Sequence, residues 1–270
     1  MDPFIHLIVG KLKTNCYIFI RGNEVVIIDP GDDEKTIEKI IEEKVDKPLV
    51  KILLTHGHAD QILAVGYLCS TFFNCMIYAS QSENLLLFDS SMNLSQQMGL
   101  DVSLKNYSDS IKYIGTGNEI TCGNLVFRVV ETPGHTPGSV IYILDSEGMI
   151  FTGDLLFKGN VGMTYFPYGD EKKLFESITK KILPLDNSFK IYPGHGPFSD
   201  LQTEKQTNPY LLSLNVHITQ EDSNQQENSN QQENSSQQED SNQQENSNQQ
   251  ENSSQQEDSN QQENSNQQEN

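Results

Sequence analysis

The last 48 residues of the chain are eight consecutive hexapeptides of the pattern Ser-Asn/Ser-Gln-Gln-Glu-Asn/Asp, running from Ser223 to Asn270. From residue 220 onward there is no basic and no apolar residue. Such a segment cannot bury the apolar surface that folding requires. We therefore expect residues 220–270 to be a disordered tail and residues 1–219 to form the folded domain. The repeat is either a neutral expansion without a role or a solubilising or partner-binding appendage, and its partner is unknown.

The composition of the expected domain excludes several classes of protein. Residues 1–219 hold 26 of the 38 acidic residues and all 18 basic ones, a net charge of −8. Because contacts to phosphates dominate affinity for nucleic acids, no nucleic-acid partner is expected. No apolar run reaches the 18 residues of a membrane span, so no membrane association is expected. The N-terminus lacks the basic and apolar regions of a secretory signal. We expect a cytoplasmic protein whose four cysteines are reduced thiols.

Short apolar runs alternate with amphipathic segments along the domain. This alternation is typical of an α/β fold in which helices cover mixed sheets. Residues 103–117 show neither period and are expected to be irregular. The sequence predicts strands over residues 16–20, 25–28, 50–54, 76–79, 125–130, 139–144, 149–152 and 190–192, and helices over 35–43, 62–73, 85–98 and 171–183.

Six candidate metal ligands come just after the ends of predicted strands. Because residues at strand ends can converge on one rim of a sheet, we expect these side chains to meet. Neutral imidazoles and carboxylates are the ligands that zinc and similar first-row ions take in proteins. Taken singly, each has a plainer explanation, and Asp60 could be the N-cap of the following helix. As a group they predict a metal site formed by His56, His58, Asp60, His135, Asp154 and His195.

The segments around these residues resemble the motifs of the metallo-β-lactamase superfamily, in the order and spacing of its glyoxalase II-like branch. The matching segments are residues 55–60, 133–139, 151–154 and 192–197, with further similarity at 14–17, 27–31 and 207–211. The resemblance spans roughly residues 4–212. It implies an αββα sandwich with the metal site at one edge.

The resemblance also implies a role for each ligand. The first metal site matches His56, His58 and His135, the carboxylate that bridges two metals matches Asp154, and the second site matches Asp60 and His195. Directly after the Asp the family has a His, where this chain has Gln61. An amide is a weaker ligand for zinc than an imidazole. We therefore predict one tightly held metal ion, zinc, with a second position that is weak, empty or selective for iron or manganese.

The function that the resemblance implies is a metal-dependent hydrolase of a small thioester or ester. A bound divalent ion brings the pKa of its water down to about 7, and Asp60 is placed to orient that water or accept its proton. Glutathione-thioester hydrolases of the family carry Lys and Tyr in the loop after Asp154. Here Tyr165 is a match, Met163 supplies no cation, and Lys158 is the nearest one, or else a solvated surface lysine.

The sequence leaves open whether the thiol portion of the substrate is glutathione. Glutathione-specific relatives carry a C-terminal helical domain, and only residues 196–219 separate His195 from the expected tail. Two other functions also stay open. Persulfide dioxygenase relatives use one iron held by two His and one Asp, a set that His56, His135 and Asp154 could supply. A non-catalytic scaffold with a decayed second site would show no hydrolysis with added metal.

Overall fold

A computed structural model describes residues 4–214 of the chain. The expected tail at residues 220–270 lies outside these residues, as does the predicted domain boundary at residue 219. Both stay predictions.

Two six-stranded mixed sheets pack face to face. The first has the spatial order β1 (Ile5–Val9), β2 (Thr14–Arg21), β3 (Glu24–Ile28), β4 (Leu49–Leu53), β5 (Met76–Ala79) and β6 (Ile111–Tyr113). The second has the order β14 (Ser199–Asp200), β13 (Lys190–Pro193), β10 (Met149–Gly153), β9 (Val140–Leu144), β8 (Leu125–Glu131) and β7 (Glu119–Cys122). A short hairpin pairs β11 (Leu156–Phe157) with β12 (Asn160–Val161).

Helices accompany the sheets: α1 (Glu34–Glu42), α2 (Ala59–Ile62), α3 (Val65–Thr71), α4 (Asn84–Phe88), α5 (Glu171–Ser177) and α6 (Leu201–Thr207), and residues 209–214 are helical as well. Short 3-10 segments lie at Gln81–Glu83, Ser95–Met98, Lys105–Ser110 and Asp145–Glu147, and a π-helical turn at Ile178–Ile182 continues α5. None of the helices in residues 4–214 has the length and apolar character needed to cross a membrane.

Alternating side chains build four layers. Because successive residues of a strand point to opposite faces, Ile18 of β2 packs in the cluster that includes Ile37 and Ile41 of α1, whereas Phe19 packs between the sheets. On the far side of the second sheet, a third cluster joins Ile150 of β10 to the helix α5. The expected αββα sandwich is confirmed.

Strand direction brings the candidate ligands to one edge. The loop with His56 follows β4, and the loop with His135 follows β8. Asp154 and His195 follow β10 and β13, which pair in parallel, so the two residues leave neighbouring strand ends. The prediction that these residues come just after strands is confirmed.

Two helix predictions are wrong in extent. The predicted helix 62–73 is divided into α2 and α3, and the N–H of Ala64 donates to the carbonyl of Pro30 at the break. The predicted helix 85–98 ends at Phe88. Asp89 then accepts hydrogen bonds from the backbone N–H and the hydroxyl of Ser91, at 2.9 and 2.6 Å, a local turn that competes with the helix.

The sequence prediction also missed six strands. The stretch 103–117, expected to be irregular, contains β6, which is three residues long and lies at the edge of the first sheet. The edge strands β1, β7 and β14 were missed as well, and so were the two-residue strands β11 and β12 of the short hairpin. Edge strands pair on one side only, and such short partly exposed runs give a weak periodic signal.

Candidate metal centre

Three buried imidazoles converge at the edge of the two sheets. His56, His58 and His135 each offer a ring nitrogen, and these nitrogens lie within 4.8 Å of one another. The ring centroids are 4.7–4.9 Å apart with the planes nearly perpendicular. Nδ1 of His58 lies 3.0 Å from Nε2 of His135. Three imidazole nitrogens directed at a common point are a typical ligand set for a tetrahedral zinc-like ion.

Hydrogen bonds to the other ring nitrogens orient two of these rings. The Thr55 hydroxyl donates to Oδ2 of Asp29 at 2.7 Å and therefore accepts from Nδ1 of His56, at 3.1 Å. Nδ1 of His135 donates to the carbonyl of Met163 at 2.7 Å. Each bond leaves Nε2 with its lone pair directed inward. Such outer partners are how proteins fix the tautomer of a metal-binding histidine.

Several polar atoms at this point are buried without a hydrogen-bond partner among residues 4–214. They are Nε2 of His56, Nε2 of His58 and Oδ1 of Asp154. Buried polar atoms are nearly always paired, so unpaired ones on two of the three histidines and on the neighbouring carboxylate fit a missing cation. The donor set therefore fits a bound metal ion.

The protonation states also favour metal binding. Burial, with the neighbouring histidines, lowers the pKa of His56 well below its usual value. Burial and the charge of His135 lower the pKa of His58 to about 3. At neutral pH both rings are therefore uncharged and have a lone pair for a metal ion.

Asp154 lies between the three-histidine cluster and a second group of side chains. Its Oδ2 is 3.6 Å from Nε2 of His135 and 3.7 Å from Nε2 of His195. Burial raises the pKa of this carboxyl, while the two histidines oppose the rise. The position is that of a carboxylate shared by two neighbouring sites.

The second group is a close carboxylate–imidazole pair. Oδ2 of Asp60 lies 3.0 Å from Nε2 of His195. Burial alone would raise the pKa of Asp60, but the hydrogen bond and charge of His195 outweigh it and lower the pKa. Burial likewise opposes the charged form of His195, yet Asp60 and Asp154 raise its pKa to about 9. At neutral pH this pair is thus an ion pair in the metal-free protein.

The alternative role for Asp60 as a helix cap is wrong. The residue lies inside α2, whose N-cap is His58, and that cap has no side-chain hydrogen bond. The carboxylate of Asp60 instead faces His195 and Gln61, and its backbone carbonyl accepts from the Thr14 hydroxyl at 2.9 Å. The side chain is directed into the site.

Gln61 lies at the second candidate metal site, beside Asp60 and His195, as the resemblance to the family implied. It is fully buried, and its Nε2 lies 3.3 Å from Oδ2 of Asp60 and 3.1 Å from Nε2 of His195. Its Oε1 is buried with no partner in the described part of the chain. All six predicted ligands and Gln61 thus lie in one connected cluster.

The two candidate substrate residues lie further out. Tyr165 is 76% exposed, and its hydroxyl donates to the sulfur of Met163 at 2.9 Å. Its ring contacts Phe166, whose own ring centroid is 5.5 Å from that of His58. Lys158 is exposed in the turn between β11 and β12. Neither residue lines the two cavities described next.

Two cavities flank the Asp60–His195 pair. One, of about 620 Å³, reaches Asp60 and has apolar walls that include Leu63, Met98 and Leu100. The other, of about 590 Å³, reaches His195. The β1–β2 turn separates them, and Leu12 at its tip lines both.

Leu12 is the site residue that sequence reasoning missed. It is 54% exposed, and its carbonyl accepts from Nδ1 of His195 at 3.2 Å. Its only signal in the sequence is an apolar residue between two lysines, Lys11 and Lys13, in a turn. No chemical motif surrounds it.

The fold and the site together define an αββα sandwich with a candidate metal site at one edge. The sequence model of the metallo-beta-lactamase superfamily matches residues 9–195. The chain belongs to this superfamily.

Two relatives extend the comparison. The chain is 36% identical to the probable metallo-hydrolase YqgX of Bacillus subtilis over 209 residues, which cover 77% of this chain and 97% of the relative. It is 35% identical to the hydroxyacylglutathione hydrolase GloC of Haemophilus influenzae over 207 residues, covering 76% and 96%. Each match covers nearly the whole length of the relative.

A solved structure shows the same fold with metal bound. The protein TTHA1623, crystallised in a di-iron-bound form, is similar to this chain with a TM-score of 0.66 and 32% identity, covering 77% of this chain and all of that one. A protein with this fold and 32% identity to the chain thus binds two iron ions.

Proposed function

We propose that the protein is a metal-dependent hydrolase of a small thioester or related ester, acting in the cytoplasm. The observation that carries the proposal is the group of three buried imidazoles, each with a ring nitrogen within 4.8 Å of the other two. The relative named hydroxyacylglutathione hydrolase supports a thioester as the substrate class. The four cysteines, all free thiols, fit a reducing compartment.

The ion is held by His56, His58, His135 and Asp154, and we propose zinc as the tightly bound metal. When bound in such a site, zinc lowers the pKa of a water to about 7 and polarises a carbonyl. Asp60 orients the attacking water or accepts its proton. Its carboxylate is kept ionised by His195, 3.0 Å away. No serine or cysteine nucleophile is needed.

The substrate lies across the Leu12 tip, with its acyl and thiol portions in the two cavities. The walls of the cavity beside Asp60 favour an apolar group. In the cavity beside His195, Lys13 is a cation outside any ion pair among the described residues. Tyr165 and Lys158 are left as outer contacts for a longer substrate.

Leu12→Ala is expected to raise KM for a thioester substrate about tenfold, since a few methylenes in an apolar pocket contribute about 1–3 kcal/mol. Because the hydrogen bond between Leu12 and His195 uses the backbone carbonyl of Leu12, which the substitution retains, kcat and metal content should stay unchanged. Steady-state kinetics with zinc quantified in the same sample measure both. The matched control is Leu49→Ala, a 42% exposed leucine at the opposite end of β4 from His56. Equal KM values for the two variants would contradict the placement.

The proposed function is tested on the full-length chain loaded separately with zinc and with iron. The substrates are S-lactoylglutathione, an N-acetylcysteamine thioester, a lactone and glutathione persulfide. We expect zinc-dependent hydrolysis of at least one thioester. If the glutathione-free thioester is the better substrate, the thiol portion that the protein recognises is not glutathione. Absence of turnover on every substrate with either metal would favour the non-catalytic scaffold.

A second function is favoured by one observation. His56, His135 and Asp154 form a set of two imidazoles and one carboxylate, with Oδ2 of Asp154 3.6 Å from Nε2 of His135. Such a facial triad suits a single iron in an oxygenase. Oxygen consumption with the persulfide by the iron-loaded protein, together with no thioester hydrolysis, would establish this reading over the first.

A further inference from the structure

A buried glutamate contacts the loop that carries the first two histidines. Glu83 belongs to the 3-10 turn Gln81–Glu83 after β5 and is 1% exposed. Its Oε2 accepts a hydrogen bond at 2.7 Å from the backbone N–H of Gly57, the residue between His56 and His58. The carboxylate therefore holds the peptide that joins two candidate ligands.

The other oxygen of the same carboxylate contacts the loop that carries the third histidine. Oε1 of Glu83 accepts from the hydroxyl of Thr136 at 2.7 Å and from the backbone N–H of Gly138 at 2.6 Å. Both donors follow His135 within three residues. Hydrogen bonds to an ionised carboxylate are roughly twice as strong as neutral ones.

Glu83 thus links loops that come from different sheets. The His56–His58 loop follows β4 of the first sheet, and the His135 loop follows β8 of the second. Glycine is required at both contacts. A Cβ on Gly57 would lie 2.9 Å from Oε2 of Glu83, and a Cβ on Gly138 would lie 2.9 Å from Oε1. The two glycines let the backbones approach the carboxylate closely enough to donate.

We propose that Glu83 is a positioning residue for the metal centre, which sets the separation between the His56–His58 loop and His135. The inference rests on the proposed metal centre but not on the identity of the substrate. Glu83 is not one of the six ligands predicted from the sequence. Its contribution is to hold the three imidazoles in place before the ion arrives.

The chemistry of the three donors explains why a carboxylate is needed. An ionised carboxylate accepts at both oxygens, whereas the amide of glutamine has one oxygen and one donor group. In one orientation, Glu83→Gln directs its NH₂ at the N–H of Gly57. In the other, it directs its NH₂ at the N–H of Gly138. Either way a buried backbone donor near a histidine loses its acceptor, and the loop shifts to satisfy it.

The first test measures zinc affinity of the full-length Glu83→Gln variant by competition with a chromophoric chelator. We expect zinc binding to weaken about 10- to 100-fold, the range found when outer partners of metal ligands are removed. The matched control is Glu204→Gln. Glu204 is also fully buried, and it accepts from the N–H of Gly159 and the amide of Asn208, both outside the ligand loops. The control should lower the Tm but leave zinc affinity unchanged.

A second pair of variants keeps the test decisive if Glu83→Gln does not fold. Thr136→Val removes one donor to Glu83 without changing the charge of the site, and Thr136→Ser retains the hydroxyl. We expect about a tenfold loss of zinc affinity for the valine, at the low end of the same range, and near wild-type affinity for the serine.

The outcomes separate this inference from the proposed function. Wild-type zinc affinity in Glu83→Gln and in Thr136→Val, with a lowered Tm, would show that Glu83 is an ordinary structural carboxylate. A wild-type protein that binds zinc but turns over no substrate would overturn the function and leave the affinity test intact. A wild-type protein that binds no zinc would overturn both.

Discussion

The variant His135→Ala is expected to lose the tightly bound metal ion and all measurable hydrolysis. His135 provides one of three imidazoles, and its Nε2 also lies 3.6 Å from Asp154. Removing it leaves the first site with only two imidazoles, both from one loop. Metal affinity should fall by more than about 100-fold, which is the largest loss expected when an outer partner of a metal ligand is removed. Metal content per chain and thioester turnover are measured on the same preparation.

The control for this variant is His6→Ala. His6 is hydrogen-bonded to Asn15 and its ring is stacked on Tyr17, and it is not part of the three-histidine cluster. We expect its replacement to leave metal content at the wild-type level. Full activity and full metal content in His135→Ala would contradict the ligand assignment and favour a scaffold without catalysis.

The variant Gln61→His is expected to raise the metal stoichiometry from one ion to two. Gln61 is fully buried beside Asp60 and His195, so an imidazole there adds a nitrogen to an existing carboxylate and imidazole. With the added imidazole, binding of a second ion competes better with the ion pair that Asp60 and His195 form in the metal-free protein. Turnover should change with the second ion. Titration with zinc, followed by elemental analysis after gel filtration, counts the ions.

Gln61→Leu is the matched control, since it removes the amide without supplying a ligand, and it should bind one ion as the wild type does. If Gln61→His also binds one ion, then Gln61 is not what weakens the second position. The assignment of Asp60 and His195 as its ligands would then have to be abandoned.

The sequence alone predicts the fold class and the six ligands because their signals are local. Each ligand follows an apolar run, and His56 and His135 are bracketed by glycines and small residues that stand out in the sequence. The resemblance to the superfamily then implied the order of the layers in the αββα sandwich. The predicted helix 85–98 failed because the side chain of Asp89 makes a local turn that no apolar period reveals.

Glu83 and Leu12 could not be found in this way. Glu83 acts on backbone amides 26 and 55 residues away, and a backbone amide has no signature in a sequence. Leu12 becomes part of the site only because the β1–β2 turn folds over His195, 183 residues later in the chain. Contacts of this kind depend on the packing of two sheets, which periodicity does not specify.

The most direct test of the central claim is zinc K-edge X-ray absorption on the full-length protein loaded with one equivalent of zinc. We predict nitrogen and oxygen ligands only, with Zn–N distances of about 2.0–2.1 Å and the multiple scattering of three imidazoles. A sulfur shell at about 2.3 Å, from any of the four cysteines, would contradict it. So would a spectrum without imidazole scattering, because His56, His58 and His135 would then not hold the ion.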